Sequence, residues 1–192
     1  MQRYKIILNI NIIILLSIFI TGCTAQLTEI NNIWGKENRQ IERKLGVKHY
    51  SISKAKAMNA MSFAYQRLGF IVSNMDYKTG FMYATAKAPR PLSPKEARIM
   101  IDTEDERVKN HVSFFIWDFT DFDSDFNTMF LETENGIQIS ISGKLRFTGD
   151  RNTLVPVSEF PPKGLEIAYR KIWEEFEKTA FIQNKTLKNH TK

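Results

Sequence analysis

Ile137-Gln138-Ile139-Ser140-Ile141-Ser142-Gly143-Lys144-Leu145-Arg146-Phe147-Thr148 alternates without a break between an apolar or small set and a polar set. A period of two belongs to an extended strand whose successive side chains point to opposite faces, one dry and one wet. Just ahead stands Asn135-Gly136, a favoured two-residue connection in tight hairpins, so Asn127 to Glu134 is predicted to fold back on this strand. A sheet with a single dry face needs an apolar cover, and two segments supply one. Ser53 is a predicted N-cap, and Ala57, Met61, Ala64, Tyr65 and Leu68 recur at helical spacing until Gly69, which predicts a helix over Lys54 to Leu68. Near the other end Leu165, Ala168, Tyr169, Ile172, Trp173, Phe176 and Ala180 form a broad apolar stripe, with Glu166, Arg170, Glu174, Glu175 and Lys178 on the outer side.

The remaining elements fall between these. Val47 to Ile52 reads as a short strand, and Phe70 to Asp76 with Phe81 to Lys87 as a hairpin through Tyr77-Lys78-Thr79-Gly80. Pro89, Pro91 and Pro94 end that pairing. Ser93 and Glu96 then form a capping box with Pro94 at the first helical position, predicting a helix from Pro94 to about Glu106. Val112 to Phe119 alternates again, apolar on both sides, as in a strand covered twice. Gly149 to Pro162 reads as a proline-broken loop, and Asn184 to Lys192 as a frayed basic tail. The sum is an α+β two-layer sandwich over residues 47 to 183. It has an antiparallel sheet of about five or six strands, two long amphipathic helices on one face and a shorter inserted helix.

Ahead of this domain lies a different kind of sequence. Arg3 and Lys5 open a short basic start, residues 6 to 20 are predominantly apolar, and Ile20-Thr21-Gly22-Cys23 closes the run with the only cysteine among 192 residues. As a helix, residues 6 to 20 rise only ~22 Å, and Asn9 and Asn11 interrupt them, so a membrane-spanning anchor is the poorer reading. The four residues before and at Cys23 resemble the lipobox of bacterial lipoproteins. That resemblance implies that residues 1 to 22 are a signal peptide, that Cys23 is lipidated and becomes the mature N-terminus, and that the lipid on Cys23 holds the protein to a membrane. Thr24 in place of aspartate after the cysteine implies the outer membrane, on its periplasmic side, in a two-membrane cell. Residues 23 to 46 are expected to form the lipidated cysteine and tether. If residues 34 to 45 are helical, Trp34, Ile41 and Leu45 share a stripe beside the basic Lys36, Arg39, Arg43 and Lys44. That stripe either lies on anionic headgroups or docks on the domain, and docking is the favoured expectation.

Composition narrows the classes. The formal charge is +6, and removal of Arg3 and Lys5 leaves the mature chain near +4 with cations interleaved among 21 acids. That argues against a nucleic-acid partner, which would want a larger clustered basic face. With its one thiol acylated the domain has no disulfide, and its stability must come from a packed core, for which 43% hydrophobic residues and 14 Phe suffice. Helix, hairpin, further antiparallel strands and closing helix resemble the small α+β helix-grip domains of envelope lipoproteins, such as an accessory lipoprotein of the outer-membrane β-barrel assembly machinery. The likeness covers about residues 47 to 183 and implies a scaffold or adaptor.

Three constellations are candidates for chemistry. Asp121, Asp123, Asp125 and Glu132 stand at positions 1, 3, 5 and 12 of a calcium loop, although Phe126 occupies the position where that loop needs glycine. With Asp118 they also make the acidic cluster on which a glycan-acting enzyme would have to rely. His49, His111 and His190 are too scattered for zinc. Phe115, Trp117 and Phe119 share one face of their predicted strand, either as core beneath the second helix or as a partner- or ligand-binding groove. No cofactor and no metal are expected. The reading is a lipid-anchored, non-enzymatic accessory or assembly subunit that binds an envelope protein. The alternatives are a lipid- or glycan-binding module and a peptidoglycan- or glycan-acting enzyme using Asp118 to Asp125.

Overall fold

The computed structural model describes residues 28–108, 121–149 and 158–190, without the side chains of 105–108 and 182–190. Cys23, the predicted strand at 112–119 with Phe115, Trp117 and Phe119, and Asp118 lie outside these residues. The described chain is an α+β two-layer sandwich. In order it forms α1 (28–45), β1 (Val47–Tyr50), α2 (Lys54–Arg67), β2 (Ile71–Asp76), β3 (Phe81–Lys87), α3 (Pro94–Val108), β4 (Phe122–Thr133), β5 (Gly136–Phe147) and α4 (Pro162–His190). The five strands make one antiparallel sheet in the order β1-β5-β4-β3-β2.

Alternation decides which face is buried. Met82, Ala84 and Ala86 of β3, Phe122, Phe126 and Phe130 of β4, and Ile137, Ile139, Ile141 and Leu145 of β5 all turn to the helix layer. There they meet Ala57, Met61, Ala64 and Tyr65 of α2 and Leu165, Tyr169, Ile172 and Phe176 of α4. Thr128 and Ser124 are polar members of this face; the Thr128 hydroxyl hydrogen-bonds the Tyr65 hydroxyl at 2.7 Å, so those two buried groups satisfy each other, whereas the buried Ser124 hydroxyl has no partner among the described residues. Ser53 caps α2 as expected, its side chain accepting from the Lys56 backbone N–H at 3.4 Å. The capping box of α3 is also formed: the Glu96 carboxylate accepts from the Ser93 backbone N–H at 2.7 Å, and Ser93 Oγ accepts from the Glu96 N–H at 3.4 Å. Lys171 of α4 adds an ion pair to Glu96 at 2.7 Å. Burial alone would raise the Glu96 pKa, but the hydrogen bonds from Lys171 and Ser93 outweigh it and bring it down to about 2.

Three expectations need correction. The β4–β5 connection is Glu134-Asn135 and not Asn135-Gly136, because Thr133 pairs with Gly136 and Glu132 with Ile137. Gly136 sits in the ladder itself with φ 136°, and a Cβ there would lie 2.2 Å from the Tyr50 carbonyl oxygen, so the exit of β1 occupies the space a side chain would need. The expected tail from Asn184 is helical through His190, as the last turns of α4. Thirdly, residues 28–45 are helix α1 docked on the body, so the folded body includes residues ahead of 47. Ile30 and Trp34 are fully buried, the docked alternative of the two expected for this segment.

Polar bonds hold α1 in place. Trp34 Nε1 donates to Glu104 of α3 at 3.2 Å, and Asn38 Nδ2 donates to Glu159 and to the Phe160 carbonyl, both at 3.0 Å. At its C-terminal end Trp173 Nε1 of α4 donates to the Leu45 carbonyl at 2.6 Å, which satisfies one carbonyl freed by the end of the helix.

Two outcomes follow. Trp34→Ala removes a fully buried indole and should destabilise the protein by roughly 3–5 kcal/mol, read from urea unfolding; a mere tether residue would leave the midpoint unmoved. Because the Glu96 pKa is depressed in the folded state, its contribution is present above the unfolded value near 4.5 and is lost as pH falls from there toward 2. Glu96→Gln should therefore flatten the pH dependence of stability in that acid window, by roughly 1 kcal/mol given its partial exposure.

Candidate functional site

The second face of the sheet carries the odd-numbered residues of β3 and β4 and the even-numbered residues of β5. The described helices pack on the opposite side, which leaves this face open among the described residues, and the register divides it into two halves.

Toward the start of β4 the face is a charge ladder. Asp123 stands between Lys87 of β3 and Arg146 of β5, with ion pairs of 2.9 and 2.8 Å, and Asp125 takes Arg146 Nε at 2.7 Å and the Thr85 hydroxyl at 2.6 Å. Arg146 thus bridges two carboxylates with separate nitrogens, the use for which a guanidinium fork is suited. Burial would lift the Asp125 pKa, but the Arg146 and Thr85 hydrogen bonds prevail and hold it below the ordinary carboxylate range. A general acid of a glycosidase needs the opposite shift.

The other half is apolar. Val47, Met129 and Leu131 are 40, 45 and 61% exposed, Ser140 lies between Val47 and Met129, and Phe81 stands opposite Met129. Large apolar side chains grouped on an open sheet are suited to contact with another surface.

The calcium register does not converge on a point. Asp123, Asp125 and Glu132 lie along one continuous strand, where nine steps separate the first from the last by roughly 30 Å, and odd and even positions face opposite ways. Asp121 precedes the strand and contributes its carbonyl to the Thr148 N–H at 2.7 Å, while Glu132 pairs with Lys54 at 3.4 Å. Among the described residues no group of three or more His, Cys, Asp or Glu is placed to hold a metal ion. His49 is exposed on β1 opposite Gln138.

Sequence reading took Asp123 and Asp125 as part of an acidic cluster ahead of a strand starting at Asn127 and missed the ladder, because β4 begins at Phe122. The signal was present: Lys144 and Arg146 recur at period two on the wet side of the hairpin partner, across from the two aspartates. The space between sheet and helices is filled by side chains, with Tyr65, Phe126, Tyr169 and Phe176 all fully buried there. A surface groove lies between α1 and α4.

Replacing Arg146 by Met should leave Asp125 with an uncompensated, mostly buried carboxylate and cost about 1–3 kcal/mol. In a double-mutant cycle with Asp125→Asn the coupling should reach about 1 kcal/mol, and additive effects would show that the ladder is decorative. The chain matches no family model, and neither a curated protein nor a solved structure shows significant similarity to it.

Proposed function

We propose that this protein is a lipid-anchored envelope protein, held to the membrane through Cys23, that serves as a non-enzymatic accessory subunit and binds a partner protein in the periplasm. The observation that carries this reading is the run Ile20-Thr21-Gly22-Cys23 standing only five residues ahead of Thr28, the first described residue of the docked helix α1. Attachment at Cys23 needs no membrane-spanning helix in the body, and among the described residues none is long and apolar enough to be one. Five residues reach at most ~18 Å, so the body is kept beside the bilayer and not on a long leash.

The open sheet face supports the partner-binding part of the reading. Its carboxylates are already matched with cations, and its exposed Val47, Met129 and Leu131 offer apolar contact beside a polar rim, the composition of an interface core and its margin.

Mass spectrometry of the protein extracted from its own membrane tests the anchor. The expected product begins at Cys23 and carries acyl chains, and Cys23→Ser should leave the leader uncleaved. A chain intact from Met1 with a free thiol would remove the basis of the proposal. Robust turnover of an envelope substrate by the purified protein would remove the accessory role.

A further inference from the structure

The outward side of α1 is cationic. Lys36, Arg39, Arg43 and Lys44 are all exposed and, with Gln40, follow the i, i+3, i+4, i+7, i+8 spacing of a single helix face. Among the described residues none of the four side chains has an ion-pair or hydrogen-bond partner. Several other cations are matched, Lys48 with Glu177, Lys87 with Asp123, Lys144 with Glu159 and Lys178 with Glu174, whereas Lys56, Lys78, Lys95 and Arg98 are exposed without an ion pair among the described residues but are spread over other elements. Of the acids of α1, Glu42 turns toward the hydroxyl of Tyr169 in the helix layer, while Glu37 lines the groove with Lys36 and Lys44 and Glu29 lies two turns before Lys36. Arg170 of α4 extends the positive field along the groove it shares with Lys36 and Lys44, although it is itself paired with Glu166 at 2.8 Å.

We propose that this face of α1 is a docking surface for the anionic phospholipid headgroups of a bilayer, and that it lays α1 flat on the membrane. Charge complementarity and chain length both argue for that occupant. Resting on the proposed lipidation of Cys23, five residues place Thr28, the first described residue of α1, within ~18 Å of the surface, while the described part of the helix, residues 28–45, is ~27 Å long. Standing upright, α1 would carry Lys44 beyond the reach of a surface potential that decays over ~10 Å at moderate salt; lying flat, it brings all four cations within it. Ile30 and Trp34 are committed to the core, and Ile33, Ile41 and Leu45 are half-buried in the groove beside the cations, so contact is chiefly electrostatic and does not require insertion. The acyl group supplies attachment and the helix supplies orientation.

The test uses the protein begun at Thr24, which keeps every core residue named above and carries no lipid, so its outcome does not depend on the acylation of Cys23. It is sedimented with phosphatidylglycerol-rich vesicles and with phosphatidylcholine vesicles at low and high salt. The expected result is binding to the anionic vesicles only, released by salt. The variant carrying Lys36→Gln, Arg39→Gln, Arg43→Gln and Lys44→Gln should bind at least about 100-fold more weakly, since each cation contributes roughly fivefold. Its unfolding midpoint should match the parent, because none of the four residues is buried. Replacing Lys56, Lys78, Lys95 and Arg98 by Gln, an equal charge loss away from α1, should weaken binding far less. Equal binding to both vesicle types, unchanged binding by the α1 variant, or an equal loss in the control variant overturns the proposal. Tighter capture by a single-stranded RNA oligonucleotide than by the vesicles overturns it in favour of a nucleic-acid surface.

Discussion

Phe126 lies over Gly143, and most of the fold is arranged around that contact. The two residues are direct cross-strand partners, and a Cβ at Gly143 would stand 2.7 Å from the ring and 3.0 Å from Leu165. The absence of a side chain lets one large ring occupy the width of two positions. From there Phe126 meets Phe70 edge-on at 5.5 Å, Phe160 at 5.6 Å, Tyr169 at 6.2 Å and Tyr65 at 6.4 Å, which joins the sheet to α2, to α4 and to the segment entering α4. Close packing makes such a centre intolerant of displacement, because neighbouring rings have no vacant volume to enter.

The same contact explains the error in the turn. With Asn135-Gly136 as the connection, Glu134 would face Ile137 and Phe126 would face Leu145; in the fold each partner is displaced by two residues. A slide of one residue would have turned every side chain to the wrong face, but a slide of two preserves the alternation completely. Periodicity therefore identified the strands and their buried faces, and could not choose between these registers. Volume chooses: opposite Leu145 the Phe126 ring has no room, and opposite Gly143 it has. The backbone at Gly136 agrees, since the Tyr50 carbonyl fills its side-chain position.

Elements specified by local chemistry were legible. Ser53, the Ser93–Glu96 box, the glycine ending α2 and the alternation of β3 to β5 each depend on residues within a few positions of one another. What escaped depends on distant partners. α1 shows only three apolar residues in its predicted stripe, a weak amphipathic pattern, because part of its docking is polar: Trp34 reaches Glu104 and Asn38 reaches Glu159, 70 and 121 residues away. Glu104 also accepts from the Lys163 backbone N–H at 3.1 Å, so one buried carboxylate serves an indole and the positive end of α4. Read along the chain, Glu104 belongs to an acidic helix surface; its burial exists only after three helices have met. The calcium spacing failed for the complementary reason. A loop motif requires the backbone to curl, and β-pairing on both sides of β4 keeps Asp123 to Glu132 extended.

The two surfaces proposed for binding are compatible because different elements carry them. α1 joins the body through the helix layer, with Leu45 held by Trp173 and Glu42 by Tyr169, whereas Met129 and Leu131 point from the side of β4 turned away from that layer. A body resting on Lys36, Arg39, Arg43 and Lys44 keeps the open sheet face uncovered. The short reach from Cys23 then becomes an advantage, since a body fixed in one orientation presents Val47, Met129 and Leu131 in a constant direction. A freely tumbling one would lose orientational freedom each time it met a partner. Orientation by α1 would lower that cost of association without adding a single contact to the interface.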